Sequence, residues 1–195
     1  MIIIYRKNMM HSLIHQDLWV EPELTLLDGT TPVTFTLQDC FNYHGYDAVG
    51  GVVLGFRLLQ LFQSLISDEQ LVQRRDIALF TSFPGLGARD VFELCTRMYT
   101  EHRYHLDENY HHPDANEGVT GDLYFKFYCL NTNTPNTSYQ LTALAGSPSN
   151  DFIQTGRATK RPNTDDAVLK QWTALKYQLA NTLLQNRAQD VLRQI

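Results

Sequence analysis

Between Gly50 and Ile66 the chain carries Val52, Val53, Phe56, Leu59 and Leu65 at helical spacing, and Leu54, Leu58, Leu61 and Phe62 widen the stripe. That period predicts a helix over 50–66, and one so apolar is largely buried. Ala88 to Tyr99 repeats the pattern with Val91, Leu94, Cys95 and Met98 inward. A third helix is predicted from Asn163 or Thr164 to about Arg193, with apolar positions Val168, Trp172, Leu175, Leu179 and Leu183. Asp165 and Asp166 fall in its first turn, where the helix dipole favours carboxylates.

Strand patterns are shorter. Asp76–Ser82, Gly121–Leu130 and Tyr139–Leu144 read as strands, and Asn131–Ser138 as a polar turn. Glu23 to Thr36 reads as a hairpin about Asp28-Gly29. Thr36 caps a short helix through Tyr43 that Gly45 ends. Asp68 opens a short helical piece through Arg74, and Phe83–Gly87 is a loop. The order is hairpin, helices, strand, helix, strands, long helix. It predicts an α+β fold, with a mixed or antiparallel sheet and helices packed on it. Residues 1–22 read as an N-terminal arm or helix, and 23–195 as one domain.

Composition narrows the function classes. In 195 residues, 43% are hydrophobic and 11% aromatic, enough for a core. The net charge of −5 comes without a long basic run, so no nucleic-acid partner is expected. No run of about 20 apolar residues suggests a membrane partner. Met1–Tyr5 lacks the features of a signal peptide, and Met9 or Met10 is an alternative start. Cys40, Cys95 and Cys129 are widely spaced and odd in number, which favours reduced core thiols and a cytoplasmic protein.

Three segments bring chemistry-bearing residues together. Tyr43-His44-Gly45-Tyr46-Asp47-Ala48-Val49-Gly50-Gly51 precedes the most apolar helix. Its glycines permit close approach, the helix start offers free N–H groups, and His44 and Asp47 add a base and a carboxylate. The bland alternative is a glycine-rich bend with His44 satisfied by a carbonyl. The second segment is the Phe83–Gly87 loop and the helix after it, where Asp90, Glu93 and Arg97 share a face. Surface ion pairs are its bland alternative. The third holds His102, His105, His111 and His112 among carboxylates. Such ligands suit zinc or nickel, but the spacings match no zinc signature, so a mobile polar loop is the first reading. Arg157, Lys160 and Arg161 form a basic turn that reads as solvated.

The run Leu37-Gln38-Asp39-Cys40-Phe41-Asn42-Tyr43-His44-Gly45, followed by Gly51-Val52-Val53-Leu54-Gly55-Phe56-Arg57, resembles the opening signature of the FmdE-like family, named for a component of formylmethanofuran dehydrogenase. That signature is a short helix, a His-Gly-His-x-Cys-Pro-Gly turn, and a buried helix beginning Leu-Ala-Leu-Gly-Tyr-Arg. Asp90, Glu93 and Thr96 stand where the family's next helix has its Asp-Ala-Ile-Gln-x-x-Thr block. The resemblance covers roughly residues 36–190. It departs at Tyr46, where the family has its second His, and at Ala48-Val49, where it has Cys-Pro. The zinc-ribbon tail is missing.

The resemblance implies a homodimer with a cavity at the His-Gly turn. The expected function is therefore small-ligand or metal binding at 44–51, with a small molecule or a divalent metal such as zinc as partner or cofactor. His44 and Asp47 are the expected base or metal ligands, with His102 and His105 a remoter metal pair. Gly45, Tyr46, Gly50, Gly51, Arg57, Asp90, Glu93 and Arg97 are the expected ligand contacts. The alternative is a non-catalytic accessory or assembly subunit acting through dimer or partner contacts. Whether the protein is an enzyme stays open at this level.

Overall fold

Local signals fix the beginning of the fold. The computed structural model describes residues 23–66, 70–130 and 137–195. The arm expected over 1–22 and most of the turn expected over 131–138 lie outside them. Strands β1 (Glu23–Asp28) and β2 (Thr31–Thr36) pair antiparallel, closed by Asp28 opposite Thr31. Gly29 has φ 65°, which a residue without Cβ adopts at no steric cost. Helix α1 (Leu37–His44) starts at a capping box: Asp39 N–H donates to the Thr36 hydroxyl, and Thr36 N–H donates back to the Asp39 carboxylate.

Helix α2 (Val49–Ile66) has the length and hydropathy of a membrane span, but 61% of it is buried inside the domain. Its apolar character serves the core. The start of the helical piece expected from Asp68 lies outside the described residues; at its far end Gln73 bridges to Leu27, and Arg74–Asp76 forms one 3-10 turn.

The main sheet has the order β4-β3-β5-β6-β7. Its strands are β3 (Ile77–Thr81), β4 (Tyr104–Leu106), β5 (Phe125–Cys129), β6 (Ser138–Ala143) and β7 (Leu192–Gln194). β3 and β4 run parallel and the other neighbours antiparallel, so the fold is α+β with a mixed sheet. Alternate residues of β3 and β5 are buried on the inner face. There Phe62 of α2 stacks on Phe127, with centroids 4.9 Å apart. Phe92 of α3 (Leu86–Thr96) meets Phe125 and Phe127 edge-on.

The second face of the sheet is covered by the stretch expected to be a mobile polar loop. It forms β4, which sequence reading missed because three residues are too few to show a period. His105 stacks on Phe80, Tyr110 meets Phe80 and Tyr124, and His112 lies flat on Tyr124 at 5.0 Å. These histidines act as aromatic rings in a covering layer.

The chain closes with α4 (Asn150–Ala158), α5 (Asp166–Gln185) and α6 (Ala188–Val191). Asp165 caps α5, its carboxylate accepting from Ala167 N–H. The long terminal helix ends at Gln185 rather than near Arg193, because Leu192–Gln194 leaves to pair with β6. Likewise α3 starts two residues earlier than expected and stops at Arg97, which sits in the left-handed region.

The backbones of α2 and α3 nearly touch. A Cβ on Gly55 would stand 2.8 Å from the Ala88 Cα, and one on Gly87 would stand 2.9 Å from Ala48 O and Val52 N. A Cβ on Gly51 would meet nothing nearer than 3.6 Å. Gly55→Ala should therefore lose about 1–3 kcal/mol by overpacking. Gly51→Ala should be neutral or gain up to about 1 kcal/mol from helix propensity. Urea unfolding of the two variants checks this; equal effects would contradict the close crossing.

Candidate functional site

Gly45 ends α1 with φ 92° and donates its N–H to Phe41 O at 2.8 Å. The chain then turns into α2. The far side of this bend borders a cavity of about 250 Å³. One wall is the first turns of α2, at Gly50, Gly51 and Leu54. The Phe83–Gly85 loop with the start of α3, the 118–123 loop and Ser147-Pro148 form others, and Phe152 of α4 with Trp172 to Leu183 of α5 complete it. The lining is mostly apolar, and among the described residues in it the ionisable side chains are Lys160 and Lys176.

His44 faces elsewhere. Its Nδ1 lies 2.8 Å from Asp90 Oδ2, with the two side chains 11% and 22% exposed. Arg89 donates through Nε and Nη2 to the other carboxylate oxygen of Asp90, at 3.0 and 2.8 Å. Burial alone would raise the Asp90 pKa, but the bonds from His44 and Arg89 outweigh it and hold the carboxyl below its ordinary value. An ionised carboxylate only accepts, so Nδ1 carries the proton and Nε2 is left for other partners. This is the geometry of an oriented imidazole base. Among the described residues, His44 shares no hydrogen bond with a hydroxyl or thiol that it could activate.

The other expected site residues separate. Gly50 and Gly51 line the cavity, whereas Gly45 serves the helix end. Tyr46 stacks on Phe41 and its hydroxyl accepts from Gln38, so it supports α1. The Asp47 side chain is exposed, and its backbone carbonyl accepts from Lys176 Nζ at 2.6 Å. Arg57 is not among the residues that line the cavity. Its guanidinium donates to Leu183 O and Leu184 O, both at 3.0 Å, and to Gln60 Oε1 at 2.9 Å. These bonds satisfy carbonyls that the end of α5 leaves unpaired.

Glu93 accepts from the backbone N–H groups of Tyr99 and Thr100 and from the Thr100 hydroxyl. Burial opposes its charge, but these bonds hold its carboxyl below the ordinary range. Arg97 terminates α3 and reaches Glu101 at 3.7 Å. Both are structural. His102 is an exposed turn residue with φ 57°, and His105 stacks on Phe80. Among the described residues no three His, Cys, Asp or Glu side chains converge as metal ligands. Zinc needs three or four such donors, and the His44–Asp90 pair with the distant Asp47 does not supply them. Cys40, Cys95 and Cys129 are buried and form no disulfide, and burial pushes the Cys95 thiol up, away from reactivity.

Sequence reading missed the α4–α5 wall. Trp172 and Leu179 carried only a helical period, and Ser149, which caps α4, gave the one available signal of that helix. The basic turn also has a role: Arg157 donates to Gly118 O and Val119 O, and Lys160 bonds the Thr120 hydroxyl, tying α4 to the 118–123 loop.

Fold and site together define an α+β protein with an apolar cavity where two helix N-termini meet a long helix. No family model matches this chain, and no curated protein or solved structure matches it either.

Asp90 makes stability depend on pH. Its folded pKa is depressed, so its contribution to stability is present above the ordinary value of 3.8 and is lost as pH falls through the folded value. Asp90→Asn should lose about 1 kcal/mol at neutral pH, a magnitude between exposed and buried pairs. The gap to wild type should shrink below that ordinary carboxyl value. Urea midpoints at neutral and acid pH measure it; a gap that does not change with pH would refute the charged pairing.

Proposed function

We propose that this protein binds a small apolar molecule in the cavity beside the first turns of α2. The observation that carries this reading is the cavity itself. About 250 Å³ of mostly apolar space lies in a partly open cleft between helices and loops, bounded by backbone at Gly50, Gly51 and Gly87. Ligand sites are concave, mainly apolar and marked by a few polar groups, and this one has the Thr120 and Ser147 residues and two lysines in its lining.

Size limits the ligand. A cavity of about 150 Å³ accommodates benzene, so this one suits roughly ten non-hydrogen atoms. The resemblance to the FmdE-like family supports a site at the same turn, and the relationship is itself part of the proposal. The reading is binding rather than turnover, because the His44 imidazole lies outside the lining while the glycines next to it lie inside. It calls on no metal, since among the described residues His44 and Asp47 do not converge with a third donor.

Nonanol, an uncharged chain of the right size, tests the proposal. Isothermal titration should show saturable binding with one molecule per chain. Leu179→Trp, which fills the cavity from the α5 wall, should weaken it about tenfold or more while unfolding cooperatively like wild type, since displacing several buried methylene groups removes about 0.8 kcal/mol each. Absence of saturable binding to the wild type, or binding unaffected by Leu179→Trp, would overturn the reading.

A further inference from the structure

The cavity is not electrically neutral. The protein carries a net charge of −5, yet the ionisable side chains among the described lining residues are both lysines, Lys160 and Lys176. No carboxylate lines it among those residues. The carboxylate whose charge acts on Lys176 is that of Asp47, whose side chain is exposed.

Lys176 is held for this role. Its Nζ donates to Asp47 O at 2.6 Å and lies 5.9 Å from the centre of the Trp172 ring. An ammonium has three donors, so two remain. Trp172 is itself packed against Phe152 at 4.5 Å, which fixes the ring and with it the lysine stem. Burial disfavours the Lys176 charge and lowers its pKa, a penalty that an anionic partner relieves. Lys160 is anchored to the Thr120 hydroxyl at the end of α4.

The backbone adds to the same sign. The first turns of α2, at Gly50 and Gly51, and of α3, at Leu86 and Gly87, both line the cavity. Helix N-termini carry partial positive charge and unpaired N–H groups.

Resting on the binding function proposed above, we infer that the natural ligand is an apolar carboxylate of roughly ten non-hydrogen atoms. Its hydrocarbon part fills the cavity and its carboxylate meets Lys176, with Lys160 as the second cation. A neutral or cationic molecule of equal size would fill the same space but leave the half-buried Lys176 uncompensated.

Octanoate, nonanol and nonylamine are near-isosteric probes of the three charge states. Titration calorimetry of the full chain at neutral pH should give octanoate about tenfold or greater advantage over nonanol, the scale of one charge-assisted hydrogen bond. Nonylamine should bind weakest. Lys176→Met should bring octanoate to within about threefold of nonanol, both measured on the same variant, since it removes that single bond. Lys160→Met should reduce the octanoate advantage by a smaller factor. If nonanol binds and octanoate binds no better, the carboxylate inference fails and the cavity function stands. An octanoate advantage that survives both lysine substitutions also overturns it. If none of the three probes binds the wild type, both the inference and the function beneath it fail.

Discussion

The near-contact of two helix backbones organises this molecule. Gly55 lets α2 approach Ala88, and Gly87 lets α3 approach Ala48 and Val52. At that distance no side chain intervenes, so the two helices cannot slide without a clash. The loop before α3 is thereby fixed against the first turns of α2. α5 packs on α2 as well, at Gly50, where a Cβ would stand 3.3 Å from Lys176 O, and its Trp172, Leu179 and Leu183 line the cavity beside that contact. Backbone contacts thus set how the helical walls of the cavity stand to one another.

The same crossing separates two chemistries that the sequence places side by side. His44 and Gly50 are six residues apart, yet the bend at Gly45 sends the imidazole toward Asp90 and the glycines toward the cavity. On α3, Gly87 and Asp90 lie about one turn apart. One end of that turn closes the cavity and the other holds the imidazole. Arginines consolidate the frame from outside: Arg57 satisfies carbonyls at the end of α5, and Arg74 satisfies Cys95 O and Leu94 O at the end of α3. Their charges terminate helices.

Much of this fold was legible in the residues. The hairpin about Asp28-Gly29, the Thr36 capping box and α2 rest on local rules that tertiary structure did not override. The mixed α+β character followed from element order. What was illegible depends on partners distant in sequence. Leu192–Gln194 becomes a strand only because β6 offers an edge, and β4 only because β3 does. Arg57 and Glu93 look like ligand contacts until their carbonyl and N–H partners, up to 127 residues away, are known. The histidine-dense stretch looks like a metal site until its rings are seen lying on Phe80 and Tyr124. For the site, the glycine bend marked one wall and the Phe83–Gly87 loop a second. The wall contributed by α5 had no sequence signal beyond helical period.

Trp172 gives the molecule a property of its own. The chain has two tryptophans, and the other, Trp19, lies outside the described residues. Trp172 lines the cavity, touches Phe152 and neighbours the Lys176 ammonium. Indole emission responds to the polarity and charge around the ring. In a chain with phenylalanine at position 19, the emission colour of the protein becomes a built-in gauge of whether that interior is wet or occupied, readable without any attached dye.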